Sequence, residues 1–325
     1  MCEIERLSLK KLTLRKLSTK RAIKSVLAIL LLSWFSPAAL AWNTDGHVLI
    51  VDLAVGGLSP VKAREVNRIA RTLETTFETD ERLFLLKNYG TAADLAKIAS
   101  FPDTVRNVPL GELFAQWGQE VPEPLKYLSD ADTSSWHYSN RAHYIGSDEA
   151  PQCQVGNEIN VGTVFPLLLE SYELATEDVS KAILLAFIIH MEADAHQPLH
   201  TATSVDRQCN HDLGGNLFCA EERGFTGQCD TTLHGLWDEA VGLFERYDTY
   251  PKLYQSVRGK QTKGPAAEEL DPQVWLDEGF GEARFIYTLR EDYRPDDLYI
   301  SDGQHIAYTR LMLAAGRLTT ILNDL

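Results

Sequence analysis

The sequence predicts an all-α fold, a mostly helical single domain with long loops. Apolar residues recur at helical spacing in six segments, and strand-like alternation is scarce and short. The stretches between these segments are polar and hold most of the cysteines, including a Gly214-Gly215 turn signal.

The first 41 residues stand apart from that pattern. Arg6, Lys10, Lys11, Arg15, Lys16, Lys20, Arg21 and Lys24 make a basic leader, followed by an apolar run from Val26 to Phe35. That run is short for a bilayer span. Pro37 breaks it, and Ala39-Leu40-Ala41 has the small-x-small form read by a signal peptidase. The expected division is a signal peptide over 1–41 and a mature domain over 42–325, beginning at Trp42. An uncleaved anchor is the competing reading. A lipoprotein is disfavoured because no cysteine follows the apolar run.

Within the mature chain, Pro60 to Phe77 has Val61, Val66, Ile69, Ala70 and Leu73 on one stripe with charges between, an amphipathic helix. Asn160 to Ala175 and Asp178 to Ala195 read as two more helices. The second is so apolar through Ile183 to Ile189 that it must be buried on most sides. Leu233 to Tyr247, Pro272 to Leu289 and Gly303 to Leu322 complete the helical set. Loops are expected over Asn107–Asp132, Gly146–Asn157 and Thr201–Thr232. Cys153, Cys209, Cys219 and Cys229 are an even set in an exported chain, so disulfides are the default, with three connectivities open. No Cys-x-x-Cys pair supports a thiolate zinc site.

Charge restricts function. The leader carries eight of the 31 basic and two of the 46 acidic residues, which leaves 23 against 44 and a formal charge of −21 on the mature part. Such a surface repels polyanions and argues against nucleic-acid binding through basic patches. It does not exclude an enzyme that meets phosphate through bound metal ions, which can be the largest local charges in a site.

The chemistry concentrates in His190-Met-Glu-Ala-Asp194-Ala-His196-Gln-Pro198-Leu-His200. Residues four apart share a helix face, so His190 and Asp194 converge. Pro198 disfavours helix at Gln197 and turns the chain, which can return His200 to the same place. His234-Gly-Leu-Trp-Asp238 repeats the spacing. Imidazole nitrogen and carboxylate oxygen are the ligands of hydrolytic zinc. One such pair is more often a plain helix-surface contact. Here the first pair follows a very apolar segment, where ionisable groups need partners or a metal.

These pieces, taken in order, resemble the zinc-dependent single-strand nucleases of the S1/P1 type. The matching pieces are Trp42-x4-His47, Asp103-x2-Arg106, Trp136 followed by His143-Tyr-Ile, and His190-x3-Asp194-x5-His200. Asp212-x-Gly-Gly-Asn216, Leu233-His234-x2-Trp237-Asp238 and the closing helix from Ala315 to Asn323 follow. The resemblance implies a phospholipase C/P1 nuclease-like fold and three zinc ions. Asp103, His143, His190 and Asp194 would hold the first, and His200, His234 and Asp238 the second. The Trp42 amine and carbonyl, His47 and Asp194 would hold the third. A terminal amine beside its own carbonyl closes a five-membered chelate once deprotonated, which gives the cleavage site a chemical purpose.

The resemblance also implies roles. Zinc ions bridged by Asp194 would lower the pKa of a water to about 7, and Arg106 would meet the transition-state phosphate. Tyr144 would offer a stacking face, and Asp212 and Asn216 would shape the loop over the second zinc. Single-stranded DNA, RNA and nucleotides are the implied partners, with 5′-phosphorylated products and 3′-nucleotidase activity. No stable protein partner and no membrane attachment after cleavage are implied, and the compartment is periplasmic or secreted. One departure is Gly146, where the family commonly has Asp or Asn three residues after the histidine. His137 is the rival to His143, because Trp136-His-Tyr also looks like a metal-site fragment. His196 is read as a hydrogen-bonding neighbour of the site, and His211 and His305 as surface residues. The competing functions are a zinc phospholipase C, whose last helix ligand is typically Glu where Asp238 stands, and a non-catalytic zinc-binding protein.

Overall fold

A computed structural model describes residues 42–76, 92–146, 148–223 and 227–325. The signal-peptide expectation and Phe77 lie outside the described residues. The described helices are α1 (Thr44–Gly57), α2 (Pro60–Thr76), α3 (Asp94–Lys97), α4 (Phe101–Val105), α5 (Leu110–Ala115), α6 (Val161–Leu174) and α7 (Asp178–Ala195). They continue with α8 (Pro198–Thr201), α9 (Leu233–Asp238), α10 (Tyr250–Val257), α11 (Pro265–Glu268), α12 (Pro272–Ile286) and α13 (Asp297–Asp324). Short 3-10 turns cover Glu123–Leu128 and Ser134–His137. The all-α expectation holds: β1 (Arg141–Tyr144) and β2 (Ala202–Val205) are the two described strands.

Helix α7 is the axis of the molecule. From Ala182 to Ile189 it is apolar around its whole circumference, and every residue from Ala182 to Ala195 is buried. A helix of that kind must be enclosed, and α1, α2, α4, α6, α12 and α13 enclose it. Asn160 caps α6 by accepting from Gly162 N–H, in a capping box with Thr163. Asp271 and Asp296 cap α12 and α13 in the same way. Beyond α7 the chain turns where Pro198 requires it, with Gln197 extended (φ −81°, ψ 117°) and accepting Leu199 N–H at the start of α8.

Several expected boundaries move: the loop expected over 201–232 contains β2, and the helix expected over 303–322 runs over Asp297–Asp324. The helix expected over 233–247 stops at Asp238, because Ala240, Val241 and Gly242 take positive φ. The loop expected over 107–132 contains α5 and a 3-10 turn, both too short to show a helical period.

Strands β1 and β2 pair in parallel, with Arg141 opposite Ala202 and His143 opposite Ser204. This pairing seats the preceding turn on α8, where Ser139 N–H donates to the His200 carbonyl at 2.7 Å. The cysteines pair as Cys153–Cys209 and Cys219–Cys229. One apolar core surrounds α7. A smaller one gathers Leu199, Leu233, Trp237 and Ile286, so α7 and α9 bring polar residues from two packed layers. No described helix is long and apolar enough to cross a membrane.

Candidate metal centre

Asp194 lies at the focus of the buried polar residues. It is fully buried on the last turn of α7, with His190 one turn before it. Its Oδ1 stands 3.3 Å from His47 Nε2 and 3.9 Å from His200 Nδ1. Its Oδ2 stands 2.9 Å from His137 Nδ1 and 3.2 Å from His190 Nε2. The two oxygens therefore serve different sides of one cluster. His47 reaches it from α1, its ring parallel to that of His190 at 4.0 Å. Asp103, from α4, lies 3.6 Å from His190 Nε2 and 3.7 Å from His137 Nδ1.

A second group adjoins the first. His200 on α8 and His234 on α9 stack at 5.1 Å, and Asp238 Oδ2 stands 3.6 Å from His234 Nε2. The loop over this group is held close. Gly214, at φ +64°, brings its carbonyl to His234 Nδ1 at 2.6 Å. A Cβ at Gly214 would meet the Leu199 carbonyl at 2.7 Å, so the residue must be glycine.

Backbone carbonyls set the histidine tautomers. His190 Nδ1–H donates to Ala99 O (2.7 Å), His200 Nδ1–H to His137 O (2.5 Å) and His234 Nδ1–H to Gly214 O. Nε2 is then the nitrogen each ring has left to offer a metal, the arrangement in which histidine ligates metals. Burial holds His47, His137 and His234 below the ordinary histidine value and takes His200 down to about 3. For His190, burial is outweighed by the Asp194 and Asp103 carboxylates, which push it up to about 9. Burial would raise Asp194, but His190, His200 and His137 hold it well below the carboxylate range. Asp238 is pushed well above that range by burial, against its bond from Gln197.

The residues fit a metal. Among the described residues, His47 Nδ1 and Nε2, Asp103 Oδ1, His137 Nε2, Asp194 Oδ1 and His234 Nε2 are buried without a hydrogen-bond partner. Each such atom costs about 1–3 kcal/mol, and these six gather at this centre, while others, such as Ser171 Oγ and Gln261 Oε1, lie singly elsewhere. At this centre, ligand atoms within 4.8 Å of one another form three sets: His47, Asp103 and His190; His137, His190 and Asp194; and His200, His234 and Asp238; a fourth such set, Cys219, Glu221 and Cys229, has its two thiols joined in a disulfide.

Trp42 is adjacent. Its ring is fully buried and its Nε1 donates to the Ala193 carbonyl at 3.0 Å, one residue from Asp194. Asn43 N–H donates to the Asp238 carbonyl at 3.0 Å. Arg106 closes α4 with its guanidinium 4.0 Å from Asp103 and 3.4 Å from the Ser134 carbonyl.

His143, expected among the ligands of the first zinc, lies outside these sets. As the third residue of β1 it stacks on Tyr287 at 5.6 Å, edge-on to Phe280, and is only half buried. His137 occupies the expected position, because the 3-10 turn at 134–137 carries it inward. Tyr144, at the end of β1, bonds through its hydroxyl to Asp148. Asp212 braces its own loop, accepting from Thr203 Oγ1 (2.9 Å), Ser204 N–H (3.0 Å) and Tyr287 O–H (3.2 Å). Asn216 donates to Leu213 O. His196 turns away from the centre, bonding Glu192 O and Arg317, and His211 and His305 are exposed.

Buried imidazoles and carboxylates in adjoining sets, on a helical scaffold, form groups that could hold metal ions, with the donor types that hydrolytic zinc takes. The family model described as S1/P1 Nuclease matches residues 42–325, and the chain belongs to that family. It is similar to Endonuclease 2 of Arabidopsis thaliana, 25% identical over 311 residues, covering 90% of this chain and 93% of the relative. Endonuclease 5 of the same plant is 25% identical over 256 residues, covering 74% of this chain and 70% of the relative. Endonuclease 3 is 24% identical over 248 residues, covering 74% and 69%.

Proposed function

We propose that this chain is an exported, zinc-dependent endonuclease. Its substrates are single-stranded DNA and RNA, its products are 5′-phosphorylated, and it also acts as a 3′-nucleotidase. The convergence of His47, His137, His190 and His200 on the two oxygens of Asp194 carries the reading.

In this proposal Asp103, His137, His190 and Asp194 hold one zinc, and His200, His234 and Asp238 a second. His47, Asp194 and the terminal amine and carbonyl of a mature Trp42 hold a third. Bound zinc supplies Lewis acidity toward a phosphodiester oxygen and activates water at neutral pH. The protein residues do the rest. Asp194 offers one oxygen to each side and keeps two sites in register. Carbonyls of Ala99, His137 and Gly214 hold three imidazoles in the ligating tautomer. Arg106, whose charge is felt at His234, supplies fork-shaped donors to a phosphoryl group between the sets.

Moving the ligand from His143 to His137 also moves the neighbouring register. The residue three positions on becomes Asn140, in place of Gly146, so the polar residue of the family pattern is present. Asn140 takes a left-handed φ of 47°, which asparagine tolerates. Tyr138 then takes the stacking role read for Tyr144. Asp212 and Asn216 act by shaping the loop over His234.

The test is hydrolysis of single-stranded DNA, RNA and a 3′-nucleotide by a chain starting at Trp42, with and without chelator. A second chain keeps one residue before Trp42. Activity should vanish with chelator, return with zinc, and fall about 100-fold or more in the extended chain, since a peptide nitrogen cannot replace the amine. Chelator-resistant turnover would overturn the zinc reading, and equal turnover of the two chains would remove the terminal amine from it.

A further inference from the structure

Between the two halves of the centre lies a fully buried side chain that is no ligand, Gln197. Its backbone is fixed on both sides. Gln197 N–H donates to Asp194 O at 3.0 Å and its carbonyl accepts His200 N–H at 3.0 Å. The residue before it is clamped by Arg310 Nε on the His196 carbonyl (3.2 Å) and Arg317 on the His196 ring (2.9 Å). Both arginines are paired with Glu278.

The orientation of the carboxamide follows from hydrogen-bonding roles. Leu199 N–H can only donate, and it points at one end of the amide at 2.5 Å, so that end is Oε1. The other end is then Nε2, a donor only, and it lies 2.6 Å from Asp238 Oδ1. The amide cannot flip without setting donor against donor. Asp238 Oδ1 is therefore committed to Gln197, and Oδ2, 3.6 Å from His234 Nε2, is the oxygen left for a ligand role.

We propose that Gln197 is a positioning residue for the His200–His234–Asp238 set. It selects which Asp238 oxygen faces a zinc ion, and it couples that choice to the turn that places Asp194 and His200. The inference rests on the zinc reading above. It requires that loss of the Gln197 donor weaken this one set and leave the others loaded.

The probe is Zn2+ in competition with a chromophoric chelator, on the chain starting at Trp42. Gln197→Leu keeps the volume and removes donor and acceptor. Gln197→Ser keeps a hydroxyl that caps α8 but cannot reach Asp238. His234→Ala marks the set directly. Both Gln197 variants should weaken one ion about 10- to 100-fold, the usual effect of losing a ligand's hydrogen-bond partner, with the remaining ions bound as before. In a His234→Ala background neither variant should cause further loss. Wild-type affinity in either Gln197 variant would overturn the proposal. So would weakening that persists in the His234→Ala background, since the residue would then act on the fold at large. If the unsubstituted chain bound no zinc, the functional reading itself would fail, which is a separate outcome.

Discussion

The exchange of His137 for His143 gives the sharpest prediction, because the two histidines are six residues apart and sit in different environments. His137 is buried, with Nδ1 2.9 Å from Asp194 Oδ2 and 3.0 Å from His190 Nε2. Structural zinc sites bind with about 10–16 kcal/mol from four ligands, so one ligand carries about 2.5–4 kcal/mol. His137→Ala should therefore lower zinc affinity on the order of 100- to 1,000-fold and remove most hydrolysis of single-stranded DNA. Without metal it should also lose about 1.5–3 kcal/mol, the range for a hydrogen bond to a charged partner such as Asp194. His143→Ala removes the stack on Tyr287, about 0.5–1.5 kcal/mol, and the edge contact with Phe280, and should keep its zinc. Chelator competition, a nuclease assay and denaturant unfolding in chelator separate the cases. Zinc loss in His143→Ala with retention in His137→Ala would refute the assignment, and so would equal loss in both.

Two further outcomes follow from the described geometry. Metal-free His190 is raised to about 9 from an ordinary 6.5, so its contribution to metal-free stability is complete below about pH 6.5 and is lost as pH rises toward 9. Zinc must displace that proton, so affinity should rise about tenfold per pH unit over this window. Metal-free melting and zinc titration across pH 6 to 9 should move in opposite directions, and a flat zinc affinity would contradict the assignment. For the disulfides, the Cys153–Cys209 bridge closes a separation of 56 residues and Cys219–Cys229 one of 10. Loop-closure entropy gives about 4 and about 3 kcal/mol. Cys153→Ser should therefore lower the denaturant midpoint more than Cys219→Ser, and the reverse order would point to local strain instead.

What could be read from the sequence depended on the range of the interactions. Helix α7 was legible because fourteen consecutive buried residues leave no other solution than an enclosed helix. The His190–Asp194 and His234–Asp238 pairs were legible because a single helical turn fixes their geometry. The break after Asp238 was not. Positive φ at Ala240 and Val241 is imposed by tertiary packing, with Val241 so close to Gly303 that a Cβ on Gly303 would meet its side chain at 3.1 Å, and neither residue type announces it. The disulfide pairing was equally silent, since it depends on how two loops meet across β1 and β2.

His137 against His143 shows where pattern matching fails and physics can decide. Both are followed by tyrosine, and the pattern His-Tyr-Ile favours the one that lies outside the cluster. A strand residue in β1 points to one side of a two-stranded ribbon, and the side His143 takes holds Tyr287 and Phe280. His137 follows Trp136, which is fully buried against Phe187 of α7, and that anchor draws the next residue onto the helix that carries His190 and Asp194. The signal was therefore present in the sequence as a large aromatic directly before a histidine, three residues ahead of an asparagine. Only the packing of Trp136 on α7 gives that signal its weight. Ligands in such a centre are chosen by which backbone the core pulls against the central helix, and the closest letter match is a poorer guide.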